Sequence, residues 1–211
     1  MIGAAEAHVK ALNRLLKYCV ATPNRGLLLE PNKFWDGSPD FEFEVSGMAD
    51  SDYAKDPERR RSVSGYATFL NGAPVTRKSK MQGCVTLSVT EAEYLSATEC
   101  AQDMLFVMRV LESIGLKVEK PMILWLDNKG AIDLTNNWSA SGRTRHVDVC
   151  HHFLRELKED GIIHVKWVPT NDNSADLFTK NLDGSTFEKH MSRFCTDKDI
   201  VFESMNGSVA K

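Results

Sequence analysis

No uninterrupted apolar run in the 211 residues comes near the ~20 that a membrane-crossing helix requires, so no membrane partner is expected. The opening decapeptide MIGAAEAHVK lacks a charged stretch leading into an apolar one, which argues against export. The five cysteines, Cys19, Cys84, Cys100, Cys150 and Cys195, are odd in number, far apart and never spaced C-x-x-C. That excludes a disulfide framework or a zinc finger as the expectation and favours free thiols in a reducing compartment. Charge of one sign is not in excess either: 26 basic and 29 acidic residues leave a net −3, so any nucleic-acid partner must be held by local basic patches. Internal repeats and low-complexity tracts are missing as well.

What is present suits one ordinary globular domain with short extensions, since 42% of residues are hydrophobic and 26% charged. Residues 8–20, HVKALNRLLKYCV, place Val9, Leu12, Leu15, Leu16 and Cys19 on one helical face and Lys10, Arg14 and Lys17 on the other, a solvated basic side. A turn-rich connector follows, in which Pro23, Pro31 and Pro39 are three of the seven prolines, and a domain boundary is placed near residue 40. Three strand-like runs come next: FEFEVSGMAD, SGYATFLNG and APVTRKSK. Between the second and third, Asn71-Gly72 is a two-residue hairpin signal, because a primed turn needs positive φ at both positions.

A helix from about residue 90 to Ile114, stopped by Gly115, leads into the apolar strand MILWLD, a short helix NKGAIDLTNN and the loop WSASGRT. A second clear helix ends at Gly161, strand IIHVKWV follows, and a last helix after Pro169 covers NSADLFTK. Antiparallel strands followed by strand–helix alternation imply an α/β fold with a mixed five-stranded sheet flanked by helices. The expected divisions are 1–40 as an N-terminal segment, 41–183 as the main domain, and 184–211 as a C-terminal helix, STFEKHMSRF, with a polar tail.

Four acids stand where such a sheet would collect them. Ser88-x-x-Glu91 and Thr90-x-x-Glu93 both match a capping box, and only one can start the helix. From Glu93, helical spacing gives Ala97, Ala101, Met104, Met108 and Leu111, the buried stripe; Glu91 leads instead through Leu95 to Glu99 and Gln102. The pattern therefore suits Ser88 and Glu91 as the box and leaves Glu93 free, for chemistry or for the helix dipole. Asp127 ends MILWLD, a carboxyl-end position where functional groups gather, although Asp is also a favoured cap. Asp50 ends the first strand on one face with Met48 and Asp52; a bulge at Gly47 would reset that register, so pattern alone leaves Asp50 and Asp52 both open. Asp176 lies in the first turns of the last helix. Acids gathered on one sheet edge repel one another unless cations lie between them, and hard oxygen ligands suit Mg²⁺ or Mn²⁺.

ADSDYAKDPERRRSVSGYATFLNGAPVTRKSKMQGCVTLSVTEAEYLSATE, LDNKGAI, GRTRHVDVCHHFLRE and VPTNDNSADLFTK together resemble the ribonuclease H domain of copia-type retrotransposon Pol polyproteins, in order over about residues 5–195. The N-terminal HVKALNRLLKYCVATPNRGLLL resembles the end of the preceding reverse transcriptase domain, which implies a piece of a longer polyprotein. The resemblance implies a ribonuclease H-like fold and an endonuclease that hydrolyses the RNA strand of RNA–DNA hybrids, leaving a 3′-hydroxyl and a 5′-phosphate. It makes Asp50, Glu93, Asp127 and Asp176 the metal-binding and catalytic acids, so that Glu91 caps and Glu93 binds metal. Two Mg²⁺ ions, with Mn²⁺ as substitute, are the implied cofactor; the partners are the hybrid and the reverse transcriptase portion of the same polyprotein, with no small-molecule cofactor. The implied location is the cytoplasm, in a virus-like particle, with the nucleus as alternative. Departures from the family pattern are Ser51 and Tyr53 around the first acid and Met81-Gln82-Gly83 before the helix; none removes a carboxylate.

Arg77, Lys78 and Lys80 are expected to contact the nucleic-acid backbone, while Arg59, Arg60 and Arg61 read equally well as solvated charge. Asn128 can reach a sugar or phosphate or cap the next helix. His146, after the basic GRTR, is a candidate auxiliary residue, and a soft metal site in HVDVCHH is not expected. Trp125 and Trp167, inside strand runs, are expected to pack in the core. A catalytically silent, nucleic-acid-binding scaffold is the alternative function.

Overall fold

The computed structural model describes residues 6–136 and 145–197, the side chains of 145–151 and of Asp197 excepted. Two compact units are present. The first, from residues 1–28 and 195–211, holds α1 (Glu6–Ala21) and an antiparallel pair of β1 (Arg25–Leu27) with β9 (Cys195–Asp197). Helix α1 forms as its periodicity predicts, yet Val9, Leu12, Leu15, Leu16 and Val20 are all exposed.

The second unit, residues 29–194, contains in chain order β2 (Glu42–Phe43), β3 (Val45–Asp52), β4 (Val63–Leu70), β5 (Ala73–Met81), α2 (Val89–Ser113), β6 (Lys117–Val118), β7 (Met122–Leu126), α3 (Lys129–Asn136), α4 (Arg145–Glu159), β8 (Ile163–Trp167) and α5 (Gly184–Met191). Its sheet runs β5-β4-β3-β7-β8, antiparallel among β5, β4 and β3 and parallel from β3 through β7 to β8. This is the mixed five-stranded, ribonuclease H-like arrangement implied by the resemblance. Among the described residues no helix is long and apolar enough to cross a membrane.

The hairpin turns at Asn71 (φ 48°) and Gly72 (φ 86°), as a primed turn demands. Gly115 (φ 84°) and Gly161 (φ 67°) end α2 and α4 in the left-handed conformation that side chains resist. The stripe Ala97, Ala101, Met104, Met108 and Leu111 is buried and joins Val45, Ala49, Leu124, Leu126 and Leu154 in one core. Gly47 hosts no bulge: β3 pairs with β4 without a break from Val45↔Leu70 to Asp52↔Val63. A Cβ there would lie 2.6 Å from Cys100 Sγ and 2.7 Å from Met104 Sδ, so this glycine lets α2 press onto the strand.

Two expected elements differ. The first strand run is split: β2 leaves the main sheet and pairs in parallel with β6. NSADLFTK forms a 3₁₀ turn over Ser174–Phe178 instead of an α-helix. Asn173 explains the second difference. Its side chain accepts from Ala175 N at 3.2 Å and donates to Ala49 O at 2.9 Å, fixing the turn to β3 by contacts an extended helix would not satisfy.

Candidate metal centre

Strands β3 and β7 are parallel with Met48 opposite Trp125, so continuing that register two residues brings Asp50 and Asp127 side by side at the same sheet edge and on the same face. The 3₁₀ turn held under β3 by Asn173 supplies Asp176. One carboxylate oxygen from each of Asp50, Asp127 and Asp176 lies within 4.8 Å of the others. Asp50 is fully buried, and the neighbouring Asp52 is ion-paired outward with Lys55 at 2.5 Å. The choice between the two acids that alternation left open is therefore made by packing.

Gly65, the cross-strand partner of Asp50, permits this approach: a Cβ there would stand 2.5 Å from Thr179 Cγ2 and 2.9 Å from Phe178 Cβ. Thr179 Oγ1 donates to Asp50 Oδ2, and Lys180 Nζ donates to Asp50 Oδ1 at 2.9 Å and Asp176 Oδ1 at 2.8 Å. Burial acts to lower the Lys180 pKa, but the two carboxylates outweigh it and hold the ammonium above its ordinary value. These two residues were not picked out in the sequence. The one hint was the i, i+4 spacing of Asp176 and Lys180; the contact with Asp50 spans 130 positions and exists only in the fold.

The two glutamates of the α2 start part ways. Ser88 is the N-cap, its hydroxyl accepting from Glu91 N at 3.1 Å, while Glu91 Oε2 accepts from Leu87 N at 2.8 Å. Replacing Ser88 by Ala is expected to cost about 1 kcal/mol of stability, measured by urea unfolding. Glu93, 4% exposed, turns to the acid cluster: Oε1 accepts from Ser51 N at 3.2 Å, and Oε2 is buried with no donor among the described residues. Burial first, then the charges of Asp50 and Asp127, push its carboxyl up to about 9. Burial and Asp50 likewise raise Asp176 to about 6, against the pull of Lys180. Burial, and then the charge of Asp50, also raise Asp127, opposed by the nearby Lys180 ammonium.

These shifts share an origin, several carboxylates withdrawn from water with, among the described residues, a single ammonium paired to them. An orphaned buried oxygen on Glu93, three carboxylate oxygens within 4.8 Å and a purely hard-oxygen donor set fit a divalent cation.

Asn128 uses its side-chain oxygen to cap α3, accepting from Ala131 N at 3.0 Å. Arg77, Lys78 and Lys80 are exposed on the edge strand β5 but do not form one patch. Thr76 bonds to Asp103 of α2 and Ser79 to Phe178 O, so alternation puts Lys78 and Lys80 on the α2 side and Arg77 on the opposite face. His146 falls where side chains lie outside the described residues. Core packing for both tryptophans is corrected: Trp125 is half-buried with Lys166 Nζ 5.7 Å from its ring centre, and Trp167, at the strand end, is 47% exposed.

Comparison with known proteins agrees with the motifs. The retrovirus-related Pol polyprotein of transposon TNT 1-94 from Nicotiana tabacum is 39% identical over 144 residues, 68% of this chain. That of transposon RE1 from Arabidopsis thaliana is 31% identical over 188 residues, 89% of the chain. The chain belongs to the retrovirus-related Pol polyproteins of transposons. It spans 11% and 12% of the length of these two Pol relatives. No family model matches the chain. Among solved structures, a ribonuclease H1 isolated from compost aligns over 70% of this chain and 98% of its own, with 12% identity and a TM-score of 0.49.

Proposed function

We propose that this segment of a Pol polyprotein is a divalent-metal-dependent nuclease that hydrolyses the RNA strand of RNA–DNA hybrids. The observation that carries the reading is the convergence of acids from separate elements on one sheet edge, with an orphaned Glu93 oxygen and, among the described residues, only Lys180 ion-paired to them. A structural role needs no such arrangement, because gathering carboxylates away from water is unfavourable in itself. A silent scaffold is the weaker reading, since all four acids are present and Glu93 lies within electrostatic reach of Asp50 and Asp127.

Asp50, Asp127, Asp176 and Glu93 would hold Mg²⁺ or Mn²⁺, two ions in the full reading. Such ions activate a water and stabilise the leaving oxygen of a phosphodiester. The chain's own residues do the positioning. Thr179 and Lys180 orient the Asp50 carboxylate, and Asn173 fixes the turn that presents Asp176. The test is a labelled RNA–DNA hybrid with purified chain, with and without Mg²⁺, beside duplex DNA and duplex RNA. Metal-dependent loss of the RNA strand of the hybrid is expected; no cleavage, or cleavage without metal, overturns the reading.

Lys180 serves as the resident counter-cation of Asp50 and Asp176. Lys180→Gln should lower metal-free stability by roughly 2–3 kcal/mol, less than a fully buried pair because a third of the side chain meets water. With its competitor gone, a divalent ion should bind several-fold more tightly by calorimetry. Unchanged values of both quantities would remove that role from Lys180.

A further inference from the structure

An exposed aromatic side chain contacts the main chain of one member of the acidic cluster. Trp167 is the last residue of β8, opposite Leu126 of β7, and Val168 N donates to Leu126 O at 2.8 Å, so the two strands close together just where Asp127 leaves the sheet. The indole folds back over that point. Its Nε1 donates to the main-chain oxygen of Asp127 at 3.2 Å, and Lys129 Nζ, on an exposed residue, stands 5.1 Å from the ring centre. At 47% exposure the ring is only half sheltered, yet one hydrogen bond and one cation–π contact hold it in place.

We propose that Trp167 and Lys129 form a nucleotide-binding subsite beside the acidic cluster, the indole stacking on a base or sugar and the ammonium pairing with an adjacent backbone phosphate. The inference rests on the hybrid-cleaving reading of the cluster. Two physical needs point to it. A phosphate backbone brought to a group of carboxylates is repelled unless positive charge stands at the rim, and the ammonium inside the cluster, Lys180, is already engaged by Asp50 and Asp176. Lys129, two residues beyond Asp127, supplies charge at that rim. A nuclease without sequence preference also needs a contact that any nucleotide satisfies, which an aromatic face provides and a hydrogen-bonding edge does not. An indole fixed before the ligand arrives loses little freedom on binding.

The experiment is binding of a fluorescently labelled RNA–DNA hybrid by anisotropy, with Ca²⁺ in place of Mg²⁺, alongside kcat and KM in Mg²⁺. Trp167→Ala should weaken binding about tenfold, and Trp167→Phe, which keeps a ring but loses the N–H, should stay within about threefold of the unaltered chain. Lys129→Ala, an exposed change that does not threaten folding, should reduce the slope of log affinity against log salt by about one. Binding by Trp167→Ala equal to that of the unaltered chain overturns the proposal. So do equal kcat losses in the Phe and Ala variants with binding untouched, because the indole would then only position Asp127. An unchanged salt slope for Lys129→Ala removes the phosphate contact and overturns the subsite as stated. Failure of the unaltered chain to bind hybrid at all defeats the functional reading first, and this inference with it.

Discussion

Asp127→Asn is expected to abolish hybrid cleavage, by at least roughly 10²–10³-fold, while leaving the melting temperature of the metal-free protein unchanged or higher. The substitution keeps the side-chain shape and one acceptor oxygen. What disappears is a negative charge that raises the Glu93 and Asp176 carboxyls, and its loss relieves repulsion in the folded state. A residue retained for stability would behave in the opposite way, its replacement lowering the melting temperature with activity falling only in proportion. Circular dichroism melts in EDTA and turnover on labelled hybrid separate the two. Full turnover by a clean preparation of this variant would remove Asp127 from the reacting centre.

The second large effect is on stability against pH in the absence of metal. Glu93 has an ordinary carboxyl value of 4.5 when unfolded and about 9 in the fold. Between those limits the folded chain retains a proton that the unfolded chain has released, so rising pH favours unfolding. Asp176, raised to about 6, acts in the same direction at lower pH, where His190 acts against it, because its buried ring is held below the usual value and protonation there favours unfolding. The clean window is therefore about pH 7 to 9, in which the melting temperature in EDTA should fall steadily. A divalent cation favours the charged carboxylates, so Mg²⁺ should raise the melting temperature and flatten the decline. Cys100, whose thiol burial pushes up, contributes the same sign near the top of the window; Glu93→Gln isolates the glutamate and should flatten the curve without metal. A melting temperature that rises with pH in EDTA, or that ignores Mg²⁺, would contradict the cluster's electrostatics.

Much of this architecture was readable residue by residue. The Asn71-Gly72 turn, the stops at Gly115 and Gly161, the Ser88 cap and the buried stripe behind Glu93 all occur where spacing placed them, while Glu91 bonds back one residue earlier than a capping box requires, to Leu87 N. Each rests on interactions within a few positions of chain, and local chemistry suffices for those. The failures share the opposite property. Trp167 reads as core because strand alternation says nothing about where a strand ends relative to its neighbour. The 3₁₀ turn around Asp176 reads as a helix because its anchor, the bond from Asn173 to Ala49, joins residues 124 positions apart. The departure of β2 to pair with β6 is likewise invisible along the chain.

The sequence by itself determined which side chains are available: four acids at the ends of predicted elements, the caps and glycines that shape those elements, and motifs shared with Pol polyproteins. Spacing left Asp50 and Asp52 both open, and only the tertiary structure decided by packing that Asp50 enters the cluster, that Lys180 pairs with two of its members, and that Trp167 stands exposed against the Asp127 main chain. The reason is that charge repulsion and burial depend on distances through space, and those are set by sheet register and by the close approach that Gly65 allows, not by separation along the chain.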